Sequence, residues 1–121
     1  MKVRTLKTRT EIEDLTSHGR RVALEFQVVY FQQIAGQSDS AVAIQVSKRL
    51  GKAVYRNRIR RVIKEICRLD FPRFRRNGHF VIIARSKARE ADFNKLRSDL
   101  NRLFETEGFL ASEERSTAAH P

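Results

Sequence analysis

Hydrophobic and polar residues alternate between Arg21 and Gln32, which is the period of a half-buried β-strand. The hydrophobic members of this alternation are Val22, Leu24, Phe26, Val28 and Tyr30. The polar stretch AGQSDS follows and predicts a loop. A second alternation then predicts a further strand, either continuous or broken into two pieces, with the members Val42, Ile44 and Val46.

The next segment changes to the period of a helix. At about 100° of rotation per residue, a set of apolar side chains converges on one side of a helix from about Ala53 to Leu69. This set is Tyr55, Ile59, Val62, Ile63, Ile66 and Leu69. The opposite side carries Arg60, Arg61, Lys64 and Arg68 with Asn57, flanked by Arg56. The pattern predicts that the apolar face packs on a sheet while the basic face stays exposed.

Two further helices and a last strand complete the pattern. Thr10 and Glu13 match a T-x-x-E capping box and Gly19 is placed as a stop, so a short helix is predicted from Glu11 to His18. The uninterrupted apolar run from Phe80 to Ala84 predicts a buried strand. A final helix is predicted from apolar residues at helical spacing, namely Phe93, Leu96, Leu100, Leu103 and Phe104.

These elements indicate an α+β fold, an α/β sandwich with helices packed on one central sheet. The order is αβββαβα when the second strand counts as two pieces. With 121 residues of which 40% are hydrophobic, the chain is long enough for one modest core but too short for two ordinary domains. We predict one domain over residues 1–110 and a flexible tail over residues 111–121, which are poor in apolar side chains.

The net charge of +11 is concentrated in one segment. Between Lys48 and Arg76 there are twelve Lys or Arg residues against Glu65 and Asp70, so this quarter of the chain carries +10. A local excess of this size creates a potential that attracts a polyanion. The distribution predicts a nucleic acid as the partner, with an anionic membrane surface as the less favoured alternative.

The basic face also places like charges three or four positions apart. The pairs are Arg56–Arg60, Arg60–Lys64, Lys64–Arg68, Arg58–Arg61 and Arg61–Lys64. At about 0.2 to 0.5 kcal/mol each, they cost the isolated helix about 1 to 2.5 kcal/mol. A solvated face usually mixes the two signs, so this face indicates phosphate recognition, for which Arg is suited by its planar fork. Charge alone does not separate RNA from DNA.

Nothing else in the sequence forms a catalytic or metal-binding pattern. The nearest acidic cluster, Glu11, Glu13 and Asp14, suits the positive end of a helix dipole better than a metal ion. The histidines show no ligand spacing, and they are His18, His79 and His120. We therefore predict neither catalytic nor metal-ligating residues in this chain.

The lone cysteine, Cys67, lies at the border of the two faces of the basic helix and lacks a neighbouring base, which predicts a semi-buried, inert thiol. One cysteine excludes an intramolecular disulfide. The sequence also has no apolar run long enough to cross a membrane and no secretory h-region. A cytoplasmic location is the expectation.

The start of the basic helix reads KAVYRNRIRR (residues 52–61), and VSKRLG (46–51) precedes it. This ordered string closely resembles the signature of the protein subunit of bacterial ribonuclease P, whose RNR box lies on such a helix. The segment LKTRTEIEDLTSHGRRVALEFQVVY is similar to the family's first helix and strand, and FVIIARSKA to its last strand. The resemblance covers most of the chain from Leu6 to Phe104.

The resemblance implies both a function and a fold feature. Family members bind a large catalytic RNA that uses Mg²⁺ to cut precursor tRNA at the mature 5′ end, while the protein supports the RNA fold, lowers the ionic demand and contacts the 5′ leader. This chain is thereby implied to be a monomeric holoenzyme subunit, inactive alone and without a stably bound metal. The family also implies a left-handed crossover between parallel strands into the basic helix, against the general right-handed rule.

Residue by residue, the resemblance assigns two contact surfaces. The contacts to the catalytic RNA are Lys48, Arg49, Lys52, Arg56, Asn57, Arg58, Arg60, Arg61, Lys64 and Arg68, with Arg60 standing where many relatives have lysine. The leader-binding cleft lies between the first helix and the sheet and often uses aromatic side chains. Its matching positions here are Ile12, Thr16, Phe26, Val28 and Tyr30, so the helix side of the cleft lacks an aromatic residue.

Two other classes of protein stay open at the level of the sequence. A ribosomal or other structural RNA-binding protein would share the basic face without a role in tRNA 5′ processing. A DNA-binding regulator would place a helix in the major groove, although the apolar face followed by a buried strand suits packing on a sheet better than a helix-turn-helix.

Overall fold

The computed structural model describes residues 3–35 and 39–111 of the chain. His120 and the predicted tail beyond residue 111 lie outside the described residues. In chain order the strands and α-helices are β1 (Arg4–Thr5), α1 (Arg9–His18), β2 (Arg20–Ala23), β3 (Gln27–Gln33), β4 (Ala41–Gln45), α2 (Ala53–Asp70), β5 (Gly78–Ala84) and α3 (Phe93–Thr106). Short 3₁₀ helices cover Lys48–Leu50, Phe71–Arg73 and Ser86–Glu90.

Within the described residues, five strands form one mixed sheet in the order β1-β4-β5-β3-β2. The pairs β1–β4 and β4–β5 are parallel, and the pairs β5–β3 and β3–β2 are antiparallel. The predicted α+β class with helices on a single sheet is confirmed. Because β4 and β5 are parallel neighbours joined through α2, this connection is the crossover for which the resemblance implies a left-handed turn, and its hand stays a prediction.

The helices form layers on both faces of the sheet. The larger core lies under α2 and α3, and its fully buried members include Ile59, Ile63, Ile66, Phe80, Ile82, Leu96, Leu100 and Phe104. The smaller core lies under α1 and consists of Leu6, Leu15, Ala41, Ala43 and Val81. At one end of the larger core, a Cβ added to Gly78 would lie 2.8 Å from Cε1 of Phe109, so only glycine permits this close approach.

The predicted single strand from Arg21 to Gln32 is wrong, because the chain folds back on itself between β2 and β3. Asp99 of α3 stabilises this bend. Its carboxylate accepts hydrogen bonds from the backbone N–H groups of Glu25 at 3.1 Å and Phe26 at 3.0 Å, and from Nε2 of Gln27 at 3.0 Å. The bend therefore depends on a side chain more than seventy residues away in sequence.

The bend also changes which residues share a face. Along β3, Val29 and Phe31 enter the larger core, whereas Val28 and Tyr30 are half-buried on the side of α1. The alternation of the sequence had placed Phe26 with Val28 and Tyr30. That assignment is wrong, because Phe26 precedes β3 and packs against the larger core.

Several boundaries differ from the predictions in smaller ways. The second predicted strand is one continuous strand, β4. The first predicted strand is the one that is divided, into β2 and β3. Strand β1 was missed because its two residues are exposed and carry no hydrophobic alternation. Helix α1 begins two residues early, since the capping box is formed by Thr8 and Glu11 rather than by Thr10 and Glu13.

Helix α2 matches its predicted range to within one residue. Two of its side chains were misplaced. Tyr55 remains 42% exposed, and Cys67 is fully buried rather than semi-buried. Tyr55 stays outside the core because it lies in the first turn, where it meets Arg89 of the 3₁₀ helix Ser86–Glu90 instead of the sheet.

Candidate nucleic-acid interface

Helix α2 has one fully apolar side and one strongly basic side. Ile59, Ile63 and Ile66 have no exposed surface and pack on the sheet. The opposite side carries Arg60, Arg61 and Lys64, all exposed, together with Asn57 and Arg68. The prediction of an apolar face for the sheet and a basic face for solvent or a ligand is confirmed. We call Asn57, Arg60, Arg61, Lys64 and Arg68 the basic face of α2.

The start of the helix is positive for a second reason. Lys52 occupies the N-cap position without a side-chain hydrogen bond to the helix, and no acidic residue lies in the first turn. The uncapped N–H groups and the positive end of the helix dipole therefore add to the positive charges of Lys48 and Arg49, which are exposed on the preceding 3₁₀ helix. The predicted contact residues Lys48, Arg49 and Lys52 thus form a positive surface at the start of the helix.

Two of the predicted contact residues also hold the helix in place. Arg56 donates from Nε to the backbone carbonyl of Gly51 at 3.2 Å. Arg58 donates from Nη2 to the backbone carbonyl of Ala91 at 3.2 Å. Both arginines are half-buried. Their guanidinium groups fix Gly51, just before the helix, and Ala91, just after the 3₁₀ helix Ser86–Glu90, to the first turns of α2. Both arginines therefore have a structural role as well as the predicted RNA contact.

The basic face contains its own side-chain contacts. Arg60 donates from Nη1 to Oδ1 of Asn57 at 3.1 Å. Arg68 makes a bidentate contact with Glu65, donating from Nε to Oε1 at 2.8 Å and from Nη2 to Oε2 at 2.6 Å. This hydrogen-bonded pair lowers the pKa of Glu65 and raises the pKa of Arg68. Because Glu65 offsets the charge of Arg68, the exposed Arg60, Arg61 and Lys64 dominate the positive charge of the face.

A groove of about 840 Å³ extends the basic face to the edge of the sheet. The wall formed by α2 carries Arg61, Lys64 and Arg68 together with Glu65, and the other wall carries Arg4 and Lys7 together with Asp39. Five cations against two acids leave the groove positive. Sequence reasoning missed the two cations of the second wall, although the basic N-terminal segment contained the signal. The parallel pairing of β1 with β4 could not be foreseen from two exposed residues, and this pairing is what brings them to the groove.

The predicted leader cleft is partly assembled. Ile12 of α1 and Tyr30 of β3 pack against the same small core. Val28 shares the face of Tyr30, and Thr16, one turn beyond Ile12, is half-buried and donates its hydroxyl to the carbonyl of Glu13 at 3.1 Å. These four positions lie on one side of the sheet.

Phe26 does not belong to this cleft, since it packs against the core on the other side of the sheet. The structure adds Arg21, which was missed. It lies directly opposite Tyr30 in the antiparallel pair of β2 and β3 and is exposed. Opposite residues in such a pair project to the same side, so a cation flanks the tyrosine. Only the hairpin, which the sequence alternation concealed, brings these two residues together.

The other chemically interesting side chains are engaged locally. Glu11 caps α1 with Thr8, and these hydrogen bonds lower the pKa of Glu11. Glu13 pairs with Arg9, and Asp14 with His18. Among residues 3–35 and 39–111, no group of three or more His, Cys, Asp or Glu side chains is placed to hold a metal ion. No helix in the same residues is both long and apolar enough to cross a membrane.

Comparison with known proteins decides the family. Residues 1–107 match the family model described as Ribonuclease P. The chain belongs to the ribonuclease P protein family.

Relatives of known sequence and structure support this membership over nearly the whole chain. The ribonuclease P protein component of Symbiobacterium thermophilum is 36% identical over 108 residues, which cover 89% of this chain and 94% of the relative. The ribonuclease P protein of Staphylococcus aureus superposes with a TM-score of 0.78 at 27% identity and covers 89% of this chain and 99% of its own. That of Thermotoga maritima gives a TM-score of 0.74 at 28% identity, covering 84% and 96%.

In this member of the family the two predicted surfaces lie on opposite sides of the sheet. The basic face of α2 belongs to the layer over the larger core, and the half-buried Tyr30 lies under α1. The groove that contains Arg4 and Lys7 lies at the β1 edge between them. Positive charge therefore continues from the outer side of α2 around the edge of the sheet toward the start of α1.

Proposed function

We propose that this chain is the protein subunit of a ribonuclease P holoenzyme that removes the 5′ leader from precursor tRNA, and that it binds the catalytic RNA through the basic face of α2. One observation carries the proposal. In a member of this family, Arg60, Arg61 and Lys64 are exposed in a row on a helix whose opposite side is fully buried. Such an array of cations attracts the phosphates of an RNA backbone, and it loses its internal repulsion when phosphates bind.

In this proposal the RNA performs the cleavage and uses the Mg²⁺. The acidic cluster of α1 is committed to capping and to ion pairs, as described for Glu11, Glu13 and Asp14. The contribution of the protein is electrostatic, since its cations neutralise phosphates that would otherwise need metal ions for compact folding of the RNA. The protein alone is then inactive, and the complex works at a lower Mg²⁺ concentration than the RNA alone.

The proposal gives the second surface to the substrate. Tyr30 offers an aromatic ring on the side of α1, and Arg21 adds a cation next to it. An unpaired leader nucleotide has a base that stacks on such a ring and a phosphate that pairs with such a cation. Ile12 and Thr16 of α1 add packing surface without a second ring, so the main contacts to the leader come from the strands β2 and β3.

The compartment and oligomeric state follow from the same account. A reduced, buried Cys67 suits the cytoplasm, where precursor tRNA is the substrate. One copy of the chain per catalytic RNA suffices, since both surfaces occur on one domain. The packing of α2 on a sheet favours this account over the rival class of helix-turn-helix DNA-binding regulator.

Reconstitution tests the proposal. The purified chain is added to a bacterial ribonuclease P RNA at low Mg²⁺, and cleavage of a precursor tRNA is followed. We expect slow cleavage by the RNA alone, faster cleavage with the chain, and none by the chain alone. Absence of stimulation, together with sedimentation of the chain with ribosomes, would favour the ribosomal alternative. Cleavage by the chain after nuclease treatment of the preparation would refute catalysis by the RNA.

A further inference from the structure

Tyr55 of α2 and Arg89 of the 3₁₀ helix Ser86–Glu90 form a contact at the start of α2 that has no role in the proposal so far. Tyr55 and Val54, in the first turn of α2, are the exposed large hydrophobic residues of the described part of the chain, at 42% and 65% exposure. The guanidinium carbon of Arg89 lies 4.6 Å from the centroid of the Tyr55 ring. A partly exposed ring with a cation over one face thus lies in the first turn of α2, close in sequence to the predicted contact residues Lys52 and Arg56.

The backbone of Gly51 closes the space beside this pair. A Cβ added to Gly51 would lie 3.3 Å from Nη1 of Arg89 and 3.6 Å from Cδ2 of Tyr55. Gly51 also has a φ of 111°, which strongly favours glycine. The absence of a side chain here allows the arginine and the tyrosine to approach each other at the entrance to α2.

The pair is also held in position. Arg58 donates to the carbonyl of Ala91, just after the 3₁₀ helix that carries Arg89. Arg56 donates to the carbonyl of Gly51. In addition Ala88, next to Arg89, is fully buried. The segments that supply the guanidinium and the glycine are therefore fixed to the same helix that supplies the ring, so little conformational freedom is lost when a ligand stacks here.

We infer that Tyr55 and Arg89 form a stacking platform for one unpaired base of the RNA that the basic face binds. The inference rests on the proposed function, because that function brings an RNA to α2. Unpaired RNA bases stack on aromatic rings and on arginine guanidinium planes, and the pair supplies both. The cations Lys52 and Arg49 are exposed, and the 3₁₀ helix that carries Arg49 contacts the one that carries Arg89. In this inference they hold the phosphates of the same nucleotide strand.

The alternative is that the pair only pins the 3₁₀ helix Ser86–Glu90 to α2 through a cation–π contact. The two roles predict different effects on RNA binding. A stacking contact contributes affinity without neutralising a phosphate, so its removal weakens binding but leaves the salt dependence unchanged. A local structural pin leaves the affinity for RNA near that of the wild type.

The experiment measures the Kd of the full chain for a bacterial ribonuclease P RNA over a series of salt concentrations. The variants are Tyr55→Ala, Tyr55→Leu and Tyr55→Phe, of which only the last keeps the ring. We expect Tyr55→Ala and Tyr55→Leu to bind about fivefold more weakly or worse, with an unchanged slope of log K against log salt. Tyr55→Phe should stay within about twofold of the wild type. Unfolding curves of all the variants show whether each is folded at the assay temperature.

A double-mutant cycle with Arg89→Ala completes the test. If the two side chains form one platform, the double variant Tyr55→Ala with Arg89→Ala loses less affinity than the sum of the single losses. Wild-type affinity of Tyr55→Ala, or of a folded Tyr55→Leu, would overturn the platform while leaving the proposed function intact. Failure of the wild-type chain to bind the RNA would remove the proposed function and this inference together.

Discussion

Asp70, the last residue of α2, accepts two hydrogen bonds from Arg97 of α3, at 2.7 Å from Nη2 and 3.2 Å from Nε. Asp70 is fully buried, and it also accepts from Nδ2 of Asn101 at 2.8 Å and from Nη1 of Arg73 at 3.1 Å. A carboxylate at the C-terminal end of a helix is disfavoured by the dipole, so these donors must offset both the dipole and the loss of water. The contact fixes the end of α2, and hence the orientation of its basic face, against α3.

Substitution of Asp70 should therefore destabilise the fold. In Asp70→Asn the new side-chain N–H group faces N–H donors of Arg97 and Asn101, and Arg97 loses its charged partner. We expect a loss of about 3 kcal/mol in the free energy of unfolding, measured by urea denaturation. Asp14→Asn is the matched control, because Asp14 pairs with His18 on the surface at 64% side-chain exposure and should change stability by less than about 1 kcal/mol. Equal losses for both variants would contradict the structural role of Asp70.

Cys67 should make stability depend on pH on the alkaline side. Burial, and then the neighbouring charge of Asp70, raise the pKa of the Cys67 thiol above its ordinary value. Below pH ~8.5, the thiol keeps its proton in both the folded and the unfolded chain and has no effect on stability. Above that pH, only the unfolded chain releases the proton, so the folded state loses stability by up to about 1.4 kcal/mol per pH unit through this group.

The comparison of wild type with Cys67→Ala isolates this effect from the titration of tyrosines and lysines. We expect the free energy of unfolding to fall more steeply between about pH 8.5, the ordinary thiol pKa, and about pH 10 in the wild type than in the variant. Thiol reagents should react with Cys67 only after denaturant is added, because its side chain has no exposed surface. Parallel pH profiles, or rapid labelling of the native protein, would disprove the buried, protonated thiol.

Tyr30 should matter only for substrates with a leader. If its ring stacks on a leader base, Tyr30→Ala weakens binding of precursor tRNA to the holoenzyme by about fivefold or more and leaves binding of mature tRNA unchanged. Tyr30→Phe keeps the ring and should bind both RNAs as the wild type does. Thermal unfolding of each variant is recorded, since a tyrosine that only packs under α1 would lower stability and affect both RNAs equally.

Much of the fold was predictable where the hydrophobic pattern is local. The period of α2 continues over the whole helix from Ala53 to Asp70, so its range and both faces could be derived from the sequence. The basic face followed from the same period, because residues opposite Ile59, Ile63 and Ile66 have no sheet to pack against. Family resemblance was needed to choose RNA over DNA as the partner of this face.

The hairpin of β2 and β3 could not be predicted, because its cause is not local. No Gly or Pro lies between Ala23 and Gln27, and the alternation of hydrophobic residues continues through the bend. The turn is held by the Asp99 carboxylate from α3. The local alternation of hydrophobic and polar residues predicts one long strand there. For this reason Phe26 was assigned to the wrong face and Arg21 was overlooked.

The start of α1 was ambiguous for a different reason. Both Thr8 with Glu11 and Thr10 with Glu13 satisfy the T-x-x-E rule, and local chemistry cannot choose between overlapping boxes. The structure uses the first pair, with the backbone N–H of Glu11 donating to Oγ1 of Thr8 at 3.1 Å. Similarly, β1 owes its existence to the neighbouring β4 rather than to its own residues, so Arg4 and Lys7 could not be placed beside Lys64 in advance.

The binding of the catalytic RNA by α2 is the central claim, and the salt dependence of that binding tests it most directly. Two variants remove the same charge from exposed helical positions. Arg61→Ala with Lys64→Ala changes the basic face, whereas Lys95→Ala with Arg102→Ala changes the outer side of α3, outside both predicted surfaces. Alanine favours the helix in all four positions, so the pairs differ mainly in where the charge is lost.

Affinity for a bacterial ribonuclease P RNA is measured for the wild type and both variants over a series of salt concentrations. For the wild type, log K should fall by about 3 to 5 per decade of salt, as for roughly five neutralised phosphates. Loss of Arg61 and Lys64 should make this slope shallower by about 1 to 2 and weaken binding, while loss of Lys95 and Arg102 should leave the slope unchanged. Equal slopes for the two variants would contradict the account and place the RNA on another surface.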